Sequence, residues 1–165
     1  MLAVALWLSK WHRAGPMLVN LPRELREARL LYAEQLFTTT GQLPISARVD
    51  RAYRLPSGAV VLIELKTRAI DRPYLSDVIE LSAQRAAVVL KTGETVADHA
   101  YVAVRRPGNS APRFHRVRLM PVAEVKALAM RRETILVGSL APTYAASAEV
   151  CRRCPFASGC EKFSP

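Results

Sequence analysis

Glu64-Leu65-Lys66 follows directly on a run of four apolar residues, Val60 to Ile63. Residues i and i+2 of a strand share a face, so the carboxylate and the ammonium point the same way. The apolar run reads as a strand covered on both faces, and burying two charges at its end is costly unless they pair or bind something. Asp50 lies upstream, beyond the hairpin turn Pro56-Ser57-Gly58, and a hairpin can bring it alongside Glu64 and Lys66. Two carboxylates and a lysine at one spot suit a hard divalent cation. Mg²⁺ takes one or two carboxylates together with waters and substrate phosphate oxygens, and Mn²⁺ prefers the same donors. A lysine beside the metal can orient or activate a water and offset charge growing on a phosphate. The chemistry is that of metal-assisted phosphodiester hydrolysis. The plain alternative is a set of solvated or paired charges, for which Arg48, Arg51, Arg54 and Arg68 are available.

A second group of reactive residues lies in CRRCPFASGC. Cys151, Cys154 and Cys160 are the only cysteines of the chain and fall within ten residues. That is a ligand spacing rather than a core pattern, and thiolates so placed suit an iron–sulfur cluster or zinc.

The elements that must position these groups can be read from periodicity. Residues 1–13 form an amphipathic helix stopped at Gly15-Pro16. A second helix starts near Pro22 and continues to about Leu31, followed by a short strand at Glu34 to Thr38. Ile45 to Leu55 alternates as a strand, and Val60 to Arg68 forms its hairpin partner. Tyr74 to Leu90 is a long helix. Ala100 to Val104 and Phe114 to Leu119 are two more strands, and Met120 to Leu136 is a last helix. This order predicts an α/β fold, a mixed central sheet flanked by helices. The expected organisation is one domain over residues 1–140, its core at about 33–120, with a cysteine-bearing tail at 141–165 packed on it.

The 165 residues are enough for a proper core, and half of them are hydrophobic, which excludes a disordered chain. The formal charge of +10 predicts attraction to a polyanion, nucleic acid first among them. Arg105, Arg106, Arg113, Arg116 and Arg118 crowd the second strand pair, as a phosphate-tracking surface would. No apolar stretch reaches membrane-spanning length, and MLAVALWLSKWHRAG lacks the charge order of a signal peptide. The expectation is a cytoplasmic protein with no membrane partner.

VDRAY, VVLIELKTR and ELSAQRAAVV together resemble the PD-(D/E)XK nuclease superfamily, and within it the RecB-like branch that includes the small CRISPR adaptation nucleases. The resemblance implies a restriction-endonuclease-like core. It implies that Asp50, Glu64 and the Leu65 carbonyl hold Mg²⁺ or Mn²⁺, that Lys66 handles the attacking water, and that Gln84 lies near the metal or the DNA. It implies a nuclease acting on single-stranded DNA or duplex ends, in CRISPR adaptation, recombination and repair or mobile-element processing, alone or beside a larger nuclease–helicase or integrase complex. In that branch the tail cysteines ligate a [4Fe–4S] cluster, with a fourth cysteine near the N-terminus. Here residues 1–20 contain no cysteine. A histidine or an outside ligand could complete the cluster, zinc could bind with His12, His99 or His115, or the site could have decayed. The branch also places a histidine metal ligand on an early helix. His12 takes that place, unless it is a helix-end residue and Glu24, Glu27 or Glu34 supplies the acid. Where the branch often has a tyrosine, four residues after the glutamine, this chain has Val88. The alternative functions are a non-catalytic nucleic-acid-binding or scaffold protein with a degenerate nuclease fold, and a zinc-stabilised nucleic-acid-binding module.

Overall fold

The structure is a computed structural model that describes residues 20–41, 44–108, 111–143, 148–152, 154–155 and 157–160. The expected helix over residues 1–13, with His12, lies outside them. Two compact units divide the chain, Met1–Ala127 and Leu128–Pro165.

The first unit holds a five-stranded mixed sheet in sequential order. Its strands are β1 (Arg29–Thr38), β2 (Ser46–Arg54), β3 (Val60–Thr67), β4 (Val96–Arg105) and β5 (Arg113–Arg118). Only β3 and β4 run parallel, and helix α1 (Leu75–Thr92) connects them. Helix α2 (Val122–Leu136) and a short helix α3 (Ala148–Arg152) follow. The expected α/β architecture, a mixed sheet with helices, is the one observed.

One expectation is corrected. The helix predicted from Pro22 to about Leu31 is a single 3-10 turn at Arg23–Leu25, and the following strand begins at Arg29. Leu, Ala and Glu are good helix formers, but from Arg29 onward the chain pairs with β2. A backbone ladder supplied by a neighbouring strand overrides local propensity. β4 also starts four residues before the predicted Ala100.

The sheet is apolar on both faces because β3 is. Leu62, with Ala52, Ala100 and Val102, packs toward Leu81 and Val88 of α1. Val61, Ile63, Tyr53 and Ala103 pack on the opposite face, against Leu21 and Leu25 of the segment around the 3-10 turn. Helix α1 buries Asp77, Leu81, Gln84 and Val88, a spacing of one stripe. It begins where the Tyr74 N–H donates to Asp77 Oδ2 at 2.8 Å. It ends at Gly93, whose φ of 73° is the left-handed conformation glycine adopts without strain.

The sheet opens at one place. Pairing of β2 with β3 runs from Arg54↔Val60 to Arg51↔Ile63 and stops. The next pair in register would be Asp50 with Glu64. On β2 the alternation slips there too, since Val49 and Ala52 both belong to the α1-side core although they are an odd number of residues apart. On β1, Glu34 lies between the pairs Ala33↔Arg51 and Gln35↔Val49, level with Asp50, and has a φ of 48°. A non-glycine residue in that region is strained. The distortions of β1 and β2 thus coincide at the carboxylate that the hairpin delivers.

Candidate functional site

Where β2 leaves β3, the Asp50 carboxylate takes over from the missing ladder partner. Asp50 Oδ2 accepts the Leu65 N–H at 2.8 Å. This bond carries the aspartate to the end of β3, beside Glu64. β3 itself stays paired to β4 through Glu64↔Val102, Leu65↔Ala103 and Lys66↔Val104, so the backbone beneath Glu64 and Lys66 is fixed by a parallel ladder.

Glu64 is 3% exposed. Its Oε1 lies 2.8 Å from Lys66 Nζ, and its Oε2 accepts the Gln84 amide at 2.7 Å. Burial drives its pKa up to about 7; the bonds from Lys66 and Gln84 oppose the rise, and the nearby charges of Asp50 and Glu80 add to it. Lys66 Nζ also lies 2.8 Å from Glu80 Oε2. Burial alone would lower the lysine pKa, but the two carboxylates outweigh it and raise it, so the side chain is held as an ammonium.

Sequence reading brought together Asp50, Glu64, Lys66 and Gln84, and the structure gathers these four residues. It did not anticipate Glu80. The signal was present, because Glu80 precedes Gln84 by one helical turn and so shares its face. Arg68 was also read only as a possible partner for the acids. It continues the same-face row of Glu64 and Lys66 and binds Asp77, with Nη2–Oδ2 at 2.6 Å. Its guanidinium stacks on Tyr74, 4.3 Å from the ring centroid. Burial would raise the Asp77 pKa, but Arg68 and the Tyr74 N–H more than compensate and lower it. This ion pair fixes the start of α1, and with it Glu80 and Gln84, relative to the end of β3.

The donors suit a hard divalent cation. Two like-charged carboxylates approach one another at the opening of the sheet, and one of them is kept from ionising readily by burial. Beside them Gln84 Oε1 is buried with no hydrogen-bond partner. An acceptor-rich, partly desolvated cleft of this kind is stabilised by a cation or its waters. Among the described residues no three His, Cys, Asp or Glu side chains converge to hold a metal by themselves. The acidic donors available there are the Asp50 and Glu64 carboxylates, whose hard oxygens suit a cation that keeps most of its waters.

No disulfide joins Cys151, Cys154 and Cys160. A chain of turns joins them, Cys154 N–H to the Cys151 carbonyl at 3.1 Å and Cys160 N–H to the Ala157 carbonyl at 3.2 Å, but the three thiols do not form a closed ligand set. His99 and His115, considered as zinc ligands, are engaged elsewhere. His99 Nε2 is 3.0 Å from Glu24 Oε1, and His115 Nε2 is 2.6 Å from Asp71 Oδ1. Among the described residues no helix is long and apolar enough to cross a membrane.

Residues 2–161 match the family described as the PD-(D/E)XK nuclease superfamily. A search of curated protein sequences gives no match. Among solved structures, the fold is similar to the crystal structure of SSO0001, with a TM-score of 0.53 and 16% identity over 99% of this chain and 69% of that one. A candidate exonuclease from Eubacterium rectale aligns with a TM-score of 0.47 and 14% identity over 78% of this chain. The alignment spans about half (51%) of the length of the E. rectale protein.

Proposed function

Given that this chain belongs to the PD-(D/E)XK nuclease superfamily, we propose that it is a metal-dependent deoxyribonuclease with its centre at the parting of β2 and β3. The observation that carries this reading is the convergence of the Asp50 and Glu64 carboxylates with a lysine ammonium 2.8 Å from Glu64.

In this reading Asp50, Glu64 and the Leu65 carbonyl hold Mg²⁺ or Mn²⁺, which when bound supplies Lewis-acid polarisation of the scissile phosphate. The Leu65 N–H keeps Asp50 in place. Gln84 and Lys66 keep Glu64 in place. Lys66, charged and tethered by two carboxylates, orients the attacking water by donating to it and offsets the negative charge that grows on the phosphate oxygens. Glu80 and Gln84, on one face of α1, set the ammonium and the carboxylate together. His12 would add a further metal ligand, and the tail cysteines would ligate a [4Fe–4S] cluster in preference to zinc. The substrate is a single strand or a duplex end, processed in CRISPR adaptation, recombination and repair or mobile-element maintenance, alone or with a larger nuclease–helicase or integrase assembly.

The non-catalytic reading is favoured by one observation. Val88 occupies the place of a tyrosine found in many RecB-like nucleases, and it is fully buried as core. One experiment decides between the two. Single- and double-stranded DNA are incubated with Mg²⁺ or Mn²⁺ and wild type, Lys66→Ala or Glu64→Ala. Metal-dependent cleavage by wild type alone is expected, with all three proteins melting cooperatively. Cleavage by the variants at the wild-type rate would falsify the roles of Glu64 and Lys66. Binding without cleavage by the wild type would establish the scaffold reading.

A further inference from the structure

The arginines of the second strand pair do not share one face. Residues paired across a ladder point the same way. Arg113 pairs with Val104 and so lies on the α1 face, whereas Arg116 pairs with Tyr101 and Arg118 with His99. Tyr101 belongs to the opposite core, so Arg116 and Arg118 stand on the face away from Glu64 and Lys66. There Arg116 joins Arg23, Arg26 and Tyr101 around a cavity of about 710 Å³, which Glu24, Glu27 and Pro56 complete.

This cavity has a built floor. Leu25 and Leu21 are buried against Tyr53, Val61 and Ile63, and they hold the 3-10 turn from which Arg23, Glu24 and Arg26 project. The Tyr101 hydroxyl donates to Glu24 Oε1. His99 Nε2 lies 3.0 and 3.2 Å from the two Glu24 oxygens. Burial would raise the Glu24 pKa, but these two partners and the field of Arg116 lower it. Glu24 is thus an anion already satisfied from within. Its bonds fix Tyr101, and Arg116 interacts with the same hydroxyl. Neither Arg23 nor Arg26 has a carboxylate partner among the described residues. Three guanidiniums therefore line a hollow with two carboxylates, of which Glu24 is already engaged by Tyr101 and His99, and the lining keeps an excess of positive charge. Planar guanidinium forks match phosphate oxygens. The only aromatic ring in the lining is buried, so the cavity offers a backbone contact and no platform for a base.

We propose that this cavity binds a phosphate group of the nucleic-acid strand, remote from the phosphate that is cleaved. The proposal rests on the nuclease reading for the identity of the strand. β5 is one of the two edge strands, and it carries Arg113, exposed but ion-paired with Asp71 at 3.0 Å, on the α1 face and Arg116 on the other. A strand that turns around this edge meets a guanidinium on each side of the sheet.

The test compares wild type with the triple variant Arg23→Gln, Arg26→Gln, Arg116→Gln. Fluorescence anisotropy is measured in the absence of divalent metal, with single strands of roughly 4 and roughly 30 nucleotides, one at the lower end of an ordinary binding site and one well above it. The long strand is expected to bind about tenfold more weakly to the variant, and the slope of log K against log salt to shrink by about 0.7 or more, the share of one neutralised phosphate on a single strand. The short strand is expected to bind both proteins equally. A second variant with Lys at the three positions should keep the salt slope but only part of the affinity, because charge is retained without the fork. Long-strand affinity and slope unchanged in the Gln variant would overturn the proposal. So would inorganic phosphate binding, followed by calorimetry, that disappears in the variant while long-strand binding does not, since the cavity then serves a free anion. The binding readout needs no cleavage, so an inactive wild type would sink the nuclease reading and leave this result standing.

Discussion

Gln84 donates its side-chain amide to Glu64 Oε2 at 2.7 Å, joining the middle of α1 to the end of β3. The bond is buried, and Gln84 is 1% exposed. A glutamine in the stripe of Asp77, Leu81 and Val88 is a polar group where a helix facing a sheet would ordinarily place an apolar one. Its Oε1 finds no partner, so the residue is poorly explained by stability alone. Its placement beside the acids gives it a use, which is to aim Glu64.

Replacing Gln84 with Met separates aim from packing. Met has nearly the same shape and removes the unpartnered acceptor, but it also leaves buried Glu64 Oε2 without its donor, so stability should fall by about 1–3 kcal/mol. Metal-dependent cleavage should fall roughly 10- to 100-fold, as is usual when a residue that orients a metal ligand is lost. Single-turnover cleavage and a denaturant midpoint measured on the same preparation decide it. Undiminished cleavage would make Gln84 a structural residue.

Glu80 is half exposed, so its pair with Lys66 should add only about 0–1 kcal/mol to stability. Its effect on activity should be larger. Glu80→Ala leaves Lys66 with one tether and should lower kcat several-fold, with KM and melting temperature nearly unchanged. Glu80→Gln, which keeps a hydrogen bond, should recover part of the loss. Equal kcat in all three proteins would show that the second carboxylate is incidental.

The Arg68–Asp77 pair predicts an acid-side loss of stability. The Asp77 pKa is lowered in the folded chain from its ordinary value near 3.8. A carboxylate with a depressed folded pKa contributes stability above its unfolded pKa, and this is lost as pH falls through the folded value. Wild type should therefore lose melting temperature below roughly pH 4 more steeply than Asp77→Asn, which has no such proton to take up. Parallel curves for the two proteins would remove Asp77 as the source.

The cysteine tail makes a separate prediction. If the thiols ligate a soft metal or cluster, protein isolated without oxygen should contain iron and sulfide, or zinc. Cys154→Ser should lose that content together with melting temperature, because a closed site contributes folding energy. Its effect on the Asp50–Glu64 centre should be small. Wild type without metal, and equal stability of the variant, would leave the three residues as ordinary thiols.

Much of the Asp50–Glu64 centre could be read along the chain. The apolar run before Glu64, the Pro56-Ser57-Gly58 turn and the one-stripe pattern of α1 are local signals, and local signals follow from strand and helix periodicity. They placed Asp50, Glu64 and Lys66 on neighbouring strands, and the family resemblance singled out Gln84 on the helix that follows. His12 and the helix expected over residues 1–13 lie outside the described residues. Periodicity could not reveal where pairing stops. β2 and β3 part at Asp50 because the strand alternation slips there, and the strained Glu34 on β1 stands level with that slip. It also could not reveal that residues 29–33 would be strand, since that depended on the ladder offered by β2. The arginines show the same limit. Arg113, Arg116 and Arg118 look like one cluster in the sequence, but cross-strand register sends the first to the α1 face and the other two to the opposite one. Sequence determined which residues alternate and where the chain turns. Register and pairing, set by contacts between distant segments, decided which of those residues meet.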